Sequence, residues 1–244
     1  MQGTKLRSTL GTIRRNLMQT TSQMIRVIRG EEVLYHPEIS CTKKRLGSDY
    51  GGWTICPDAL TSHSIVYSVG LGIDITFDRA IIENYGVAVF GFDPTPFSLS
   101  YLQSQSLPKQ FHYFPYALSD HDGTLPFFPP SDKRNISFSL LKRATPQAEA
   151  VMVTARRLST IMQELGHDHL DILKLDVEGA EYGIIEDVLQ SGIRPRQFLI
   201  EFHHRYSEVG FAKTQSAINA LHQAHYSIFD IGRGGFDYSF MHLP

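Results

Sequence analysis

The sequence has few cysteines and no long hydrophobic run, and each shortage argues against a class of protein. Cys41 and Cys56 are the only cysteines among 244 residues. Two are too few for a disulfide framework, and reduced thiols in a cytosolic protein are the simpler interpretation. No run of about 18 consecutive apolar residues occurs, so a membrane span is not expected. The formal net charge of −2 provides no global positive field, which disfavours nucleic acid as the main partner.

The start of the chain differs in composition from the rest. Residues 1–30 contain six lysine or arginine residues and no acidic residue, and apolar residues recur there at helical spacing. This pattern predicts a basic amphipathic arm over 1–34 that packs on the main domain, with docking on a membrane surface or organelle targeting as alternatives. Residues 35–244 are long enough for one α/β domain. We expect a cytoplasmic location, or a membrane-peripheral or organelle location through the arm.

Hydrophobic patterning from residue 65 onward alternates between strands and helices. The predicted strands are 65–69, 87–92, 111–118, 124–128, 150–154, 172–175, 197–202, 226–231 and 236–242, and the predicted helices are 75–85, 96–106, 158–165, 180–191 and 214–225. This alternation predicts a mostly parallel sheet with helices on both faces. The last two strands are separated by a short glycine-rich turn, so they must pair antiparallel, because a parallel return needs a longer crossover. Residues 35–63 are expected to form loops and turns.

Residues that directly follow strands are candidates for ligand binding, because ligands of open parallel sheets bind beyond the carboxyl ends of the strands. Gly70 and Gly72 follow the first of these strands and allow a sharp bend against which a ligand can lie. Asp93 follows the second strand, where it can accept hydrogen bonds from both hydroxyls of a ribose or cap the next helix. Ile75 occupies the third glycine position of a dinucleotide fingerprint, which disfavours a pyrophosphate ligand.

Polar side chains follow later strands as well. A carboxylate at Asp120, beside Ser119, suits the exocyclic amine of an adenine, although the same residues also fit a turn. Asp176 ends a short buried strand and is placed to face a bound ligand. His203 and His204 follow the next strand, and either one is a candidate general base or a structural histidine. A metal site built from Asp176 and a histidine is conceivable, but no ligand spacing compels it, so no metal is predicted.

Four sequence runs together resemble the FkbM-type methyltransferases. They are VYSVGLG at 66–72, GFDPTP at 91–96, ALSD at 117–120 and LKLDVEGAEY at 173–182. The resemblance covers roughly residues 45–243, and GSDYGGW at 47–53 and IEFHH at 200–204 further resemble the methyltransferase-like branch of that family. It implies a Rossmann-like class I fold with a mostly parallel seven-stranded sheet, an antiparallel C-terminal hairpin, and S-adenosylmethionine as methyl donor.

The resemblance also implies roles for the predicted residues. Gly70 and Gly72 are expected to contact the methionine end of the donor. Asp93 is expected to contact its ribose, and Asp120 with Ser119 its adenine. Many class I methyltransferases carry an acid at the position of Ser68 that contacts the donor's amino group. Here that contact is expected from Asp74 or Asp176.

The expected reaction is methylation of a hydroxyl on a small molecule or sugar. His203 or His204 is expected to take the hydroxyl proton, and Asp176 to orient acceptor and donor. Two alternatives stay open: an NAD-dependent oxidoreductase on a similar sheet, and a non-catalytic nucleotide-binding partner that docks through its basic arm. The acceptor depends on the loops 35–63 and 129–149, whose shape no motif encodes, and the sequence leaves the oligomeric state open.

Overall fold

The computed structural model describes residues 24–29, 32–128, 150–206, 208–232 and 234–243. Most of the predicted arm over 1–34 and the whole of loop 129–149 therefore lie outside the described residues. Within the arm, 24–28 is helical, and Nε of Arg26 lies 2.6 Å from Oε2 of Glu32. None of the helices in these described ranges combines the length and hydrophobicity that a membrane crossing requires.

Besides the helical residues 24–28, the described chain forms twelve strands and five α-helices. The strands are β1 (Lys44–Leu46), β2 (Trp53–Ile55), β3 (Ile65–Val69), β4 (Ala88–Phe92), β5 (Phe111–Phe114), β6 (Ala117–Leu118), β7 (Gly123–Phe127), β8 (Val151–Arg156), β9 (Ile172–Leu175), β10 (Gln197–Glu201), β11 (Tyr226–Ile231) and β12 (Asp237–His242). The helices are α1 (Thr76–Tyr85), α2 (Pro96–Gln103), α3 (Leu158–Leu165), α4 (Glu181–Gln190) and α5 (Phe211–Gln223).

The central sheet has seven strands in the order β11-β12-β10-β9-β3-β4-β5. Neighbours from β10 to β5 pair parallel, whereas β12 runs antiparallel to both β10 and β11. The mostly parallel sheet and its antiparallel terminal hairpin were both predicted, and both are confirmed. The strand order reverses between β3 and β9, so a crevice opens beyond the carboxyl ends of those strands.

Both faces of this sheet are buried. Alternate residues of one strand point to opposite faces, and Tyr67 and Leu173 belong to one apolar cluster while Val66 and Ile172 belong to the other. Helices α3, α4 and α5 cover the first face and α1 covers the second. Strand β9 is buried along its whole length, so its one charged residue, Lys174, is held inside the protein.

Two predicted segments differ from the structure. Residues 35–63, expected as loops and turns, contain the antiparallel pair β1 and β2, and a 3₁₀ turn at Pro57–Ala59. The strand expected over 111–118 is split into β5 and β6 at Pro115, because proline has no N–H to donate to a strand ladder. Beyond the split, β6 leaves the central sheet and forms a three-stranded sheet in the order β6-β8-β7.

The β1–β2 hairpin is fixed to the central sheet by buried polar contacts. The side-chain amide of Gln197 on β10 donates to the carbonyl of Cys56 and accepts from its N–H, both at 2.8 Å. The hydroxyl of Ser239 on β12 donates to the carbonyl of Thr54 at 2.9 Å. Trp53, the first residue of β2, is also buried. The hairpin is therefore a fixed wall beside the carboxyl ends of the strands.

Candidate functional site

A cavity of about 800 Å³ lies beyond the carboxyl ends of β3, β4, β9 and β10. Its floor is formed by the residues that follow these strands, and its roof includes the β1–β2 hairpin, from Arg45 to Thr54. This volume is within the usual range of small-molecule sites. Five of the predicted site residues line the cavity: Gly70, Gly72, Asp74, Asp93 and Asp176.

The bend after β3 is formed by two glycines in the left-handed region, Gly70 at φ 79° and Gly72 at φ 53°. A Cβ atom on Gly70 would overlap the carbonyl oxygen of Asp176, whereas one on Gly72 would meet no atom within 4 Å. The carbonyl of Gly70 also accepts a hydrogen bond from Nζ of Lys174 at 2.7 Å. Only glycine fits at position 70, and the bend is held directly against the end of β9.

Asp93 binds the glycine bend from the neighbouring strand. Its Oδ2 accepts hydrogen bonds from the backbone N–H groups of Leu71 at 3.0 Å and Gly72 at 2.9 Å. Its Oδ1 accepts from the N–H of Thr95 at 2.8 Å and from the Thr95 hydroxyl at 2.6 Å. An ionised carboxylate offers about four acceptor positions, so all of them are used within the protein. Asp93 borders the cavity mainly as the residue that shapes its floor.

Asp74 connects the bend to the hairpin roof. Its Oδ2 accepts a hydrogen bond from the hydroxyl of Ser48 at 2.6 Å, and its Oδ1 accepts from the N–H of Thr76 at 2.8 Å. Ser48 lies in the turn of the hairpin, and its own N–H donates to the hydroxyl of Thr76 at 2.8 Å. Asp74 therefore fixes the edge of the roof to the start of α1.

Acidic side chains and one histidine meet at the end of the cavity near β9, β10 and β12. Nε2 of His203 lies 4.0 Å from Oδ1 of Asp176 and 3.8 Å from Oε2 of Glu178. Glu201, the last residue of β10, pairs with Asp237, the first residue of β12, and both line the cavity beside Asp176. We call these five residues the acidic cluster.

The electrostatics of the acidic cluster are unbalanced. Burial alone would lower the pKa of His203, but the carboxylates of Glu181 and Glu201 raise this pKa to about 9. Burial, followed by the negative charge of Asp176, raises the pKa of Glu201 to about 9. The same two causes raise the pKa of Asp237 to about 6. The cluster contains four carboxyl groups and only one imidazole that could compensate their negative charge.

Four predicted residues lie outside the cavity lining: Ser119, Asp120, His203 and His204. Ser119 and Asp120 follow directly on Ala117 and Leu118, which do line it, and the Ser119 hydroxyl donates to Oδ1 of Asp120 at 3.1 Å. His204 is buried away from the cavity, and neither of its ring nitrogens has a hydrogen-bond partner in the described structure.

The surroundings of His204 are aromatic. Its ring stacks on Phe236 at 5.5 Å and meets Phe211 edge-on at 5.2 Å. Burial lowers the pKa of His204 to about 4. The expectation that either histidine could serve the cavity is therefore corrected for His204, because successive residues after a strand point to opposite sides.

The charge of the cavity lining is strongly negative. Among the described lining residues, eight are acidic and only Arg45 and Lys174 are basic. The acidic residues are Asp49, Asp74, Asp93, Asp176, Glu178, Glu201, Asp230 and Asp237. Such a cavity attracts a cationic ligand and repels an additional anion.

Beside this polar part, an apolar wall is formed by Phe92, Tyr116, Leu118 and Phe127. Aromatic and aliphatic side chains of this kind cover the flat face of a heterocycle. Sequence reasoning missed this wall and also missed Lys174, Glu201 and Asp237. The lone lysine within the apolar run of β9 was the one sequence signal that could have indicated Lys174.

Comparison with known proteins identifies a family. The model of the Methyltransferase FkbM domain matches residues 68–231, which is more than half of the chain. Probable methyltransferase-like protein 24 of Rattus norvegicus is 26% identical over 176 residues, covering 68% of this chain and 42% of the relative. The protein of the same name from Homo sapiens is 28% identical over 161 residues, covering 62% and 38%. This chain therefore spans about two fifths of the length of these curated relatives.

Among solved structures, Methyltransferase FkbM from Methylobacillus flagellatus KT matches with a TM-score of 0.49 and 12% identity, covering 75% of this chain and 44% of that chain. The family model covers the chain from within β3 to the end of β11. It thus includes the glycine bend, Asp93, Asp176 and both histidines. Because the family model matches more than half of the chain, this chain belongs to the Methyltransferase FkbM domain family.

Proposed function

We propose that this protein is an S-adenosylmethionine-dependent methyltransferase that methylates a hydroxyl oxygen of a small molecule or glycan. The observation that carries the proposal is the cavity. It combines a glycine bend, which has no room for a side chain at Gly70, with a lining that contains eight acidic residues. S-adenosylmethionine carries a sulfonium and an ammonium group against one carboxylate, so its net charge is positive. The negative lining therefore supports this donor.

The parts of the cavity fit the parts of the donor. The apolar wall of Phe92, Tyr116, Leu118 and Phe127 suits the adenine ring. We infer that Asp93 acts on the ribose region chiefly by fixing the backbone of the bend, since its acceptor positions are already used. Ser119 and Asp120, directly beyond Leu118, stay predicted contacts of the adenine edge. Their neighbours in the sequence line the cavity, although they do not.

The bound donor supplies a methyl group that is already activated by its sulfonium, so the protein has mainly to align the acceptor. Alignment of this kind contributes about 7–11 kcal/mol in favourable cases. Asp176 is the residue best placed for the acceptor, because it contacts the bend through its backbone and its side chain is 34% exposed toward the cavity. We propose that its carboxylate takes the hydroxyl proton, which contributes roughly 100- to 10,000-fold in rate.

His203 lies beside Asp176. Its Nε2 lies 4.0 Å from Oδ1 of Asp176, and the residue itself does not line the cavity. We therefore propose His203 as a positioning residue. The proposal no longer uses His204.

A nicotinamide dinucleotide fits the cavity less well. Its diphosphate would add negative charge to a lining that already has eight acidic and two basic residues. Isothermal titration calorimetry with S-adenosylmethionine and, separately, with NAD tests this difference. We expect saturable binding of S-adenosylmethionine and no heat of binding with NAD. Binding of NAD alone would overturn the donor assignment.

The atom that is methylated requires a second experiment. The full 244-residue chain, supplied with donor labelled in its methyl group, is incubated with a panel of sugars and hydroxylated small molecules. We expect the label in a methyl ether, identified by mass spectrometry and by its NMR shift. The Asp176→Asn variant should bind donor normally and lose turnover. A product methylated only on nitrogen or sulfur would contradict the hydroxyl assignment but not the donor assignment.

A further inference from the structure

Three side chains of the acidic cluster lie close enough together to share one ion. A carboxylate oxygen of Asp176, one of Glu178 and a ring nitrogen of His203 all lie within 4.8 Å of one another. The separations of 4.0 and 3.8 Å from Nε2 of His203 are too long for hydrogen bonds. Two ligands that each lie about 2.1 Å from a shared cation are roughly 3–4 Å apart. We propose that Asp176, Glu178 and His203 bind a divalent cation.

The state of His203 is an independent observation that supports a ligand here. The residue is 8% exposed, and its Nδ1 has no hydrogen-bond partner in the described structure. Buried polar atoms are nearly always hydrogen-bonded. The other ring nitrogen, Nε2, lies 3.8 Å from the carboxylate of Glu178 and 4.0 Å from that of Asp176, and a cation between them would give it a partner. Nε2 of this ring points toward the two carboxylates, and Nδ1 lies 3.5 Å from Oε1 of Glu181. Metal-binding histidines commonly direct their second nitrogen at a carboxylate in this way.

The charges around the site also support a cation. Glu201 and Asp237 are paired across β10 and β12, and both line the cavity beside Asp176. Bringing several carboxylates together in a partly buried space is unfavourable without positive charge. One imidazole cannot supply this charge alone, whereas a divalent ion can.

The backbone at Glu178 has an unusual conformation. Glu178 adopts φ 53°, in the left-handed region that non-glycine residues rarely occupy. Its Oε2 accepts a hydrogen bond from the hydroxyl of Tyr206, whose ring packs at 5.1 Å from the ring of His203. Strained backbone of this kind persists where surrounding contacts impose it, and it concentrates at functional sites. Here it brings the Glu178 carboxylate to His203.

The donor set indicates the class of cation. Two carboxylates and one imidazole nitrogen suit Mn²⁺ and similar first-row ions better than Ca²⁺ or Mg²⁺, which prefer oxygen ligands only. Three protein ligands leave coordination positions for water or for acceptor oxygens. The role of the ion rests on the proposed function: it would hold the acceptor hydroxyl beside Asp176, at the cavity end of β9.

Manganese binding is tested directly, with no donor or acceptor present. The full chain is treated with EDTA, dialysed and titrated with MnCl₂, and the free ion is measured by electron paramagnetic resonance. We expect one Mn²⁺ per chain. The Asp176→Asn and His203→Leu variants should each bind at least about tenfold more weakly, since even changes behind the ligands cost 10- to 100-fold in affinity.

Asp230→Asn is the matched control, because Asp230 lines the same cavity outside the acidic cluster and loses the same unit of charge. Its Mn²⁺ affinity should equal that of the wild type. Failure of the wild type to bind Mn²⁺ stoichiometrically would overturn the proposal, and this result does not depend on any variant folding. Equal weakening by Asp230→Asn and Asp176→Asn would also overturn it, because the ion would then respond only to net charge. Donor binding measured in EDTA tests the proposed function separately.

Discussion

Gly70 packs against the backbone carbonyl of Asp176, so closely that even a methyl group at position 70 would overlap the carbonyl oxygen. This contact joins the ends of β3 and β9, the two strands between which the strand order reverses. The floor of the cavity therefore has no spare volume at this point. Substitutions at the two glycines of the bend should differ sharply in their effects.

Replacing Gly70 by alanine should lower the free energy of unfolding by about 3 kcal/mol, since it adds an atom to a filled space in an unfavourable conformation. Donor affinity should fall with it. Gly72→Ala is the matched control, because its Cβ would meet no atom within 4 Å. This variant should lose only about 1–2 kcal/mol, from its left-handed backbone. Urea denaturation measures both losses, and equal losses would contradict the steric explanation.

Asp93→Asn should weaken the bend without changing its size. An amide keeps one acceptor oxygen and places an NH₂ group against protein N–H or hydroxyl donors, so at least one pair of hydrogen bonds is lost. We expect a loss of about 1.5–3 kcal/mol in stability and weaker donor binding. Thr95→Val, which removes one donor and the N-cap of α2, should lose about 1 kcal/mol. Unchanged donor affinity in Asp93→Asn, measured by calorimetry, would contradict the role of Asp93.

Gln197→Leu should loosen the hairpin roof. The substitution leaves the N–H and the carbonyl of Cys56 without their buried partners, which costs about 2–4 kcal/mol for the two groups. Hydrogen exchange followed by mass spectrometry should show faster exchange over 53–56. The Gln197→Glu variant keeps an acceptor for the Cys56 N–H and should show a smaller increase. Exchange as slow as in the wild type would show that other contacts hold the hairpin.

His204→Phe should leave turnover and donor affinity unchanged. The imidazole has no hydrogen-bond partner to lose in the described structure, and a phenyl ring fits between Phe211 and Phe236. Stability should be equal or higher, because two unsatisfied nitrogens are removed from an apolar site. His203→Leu should lose turnover under the same assay. A loss of turnover in His204→Phe would restore His204 as a candidate base.

Much of the central sheet could be predicted from the sequence. Buried strands are apolar runs, and in Ile172–Leu175 the run is interrupted only by Lys174. The glycines and acids that follow these strands mark their ends. Because parallel strands end at one edge, the convergence of Gly70, Asp93 and Asp176 followed from the strand assignments alone. The antiparallel end of the sheet followed from the short connection between its last two strands.

Other parts depend on contacts between distant residues. Asp237 reaches the acidic cluster because β12 pairs with β10 in a register that places it opposite Glu201, and no local pattern encodes that register. The hairpin at 44–55 has strands of only three residues, too short for a periodic signal. The choice between the two histidines could have been made from the sequence. Side chains alternate along a strand, so His203, two residues after Glu201, is expected on the same side as Glu201.

The hairpin roof is fastened at two separate places: at Ser48, where the turn begins, and at Cys56, just beyond β2. Asp49 and Tyr50 lie between these anchors, and Tyr50 is 88% exposed. Mutations at this tip can accumulate with little thermodynamic penalty, because neither anchor depends on their side chains. A lineage can therefore change the mouth of the cavity by drift at a few surface positions while the floor is inherited intact.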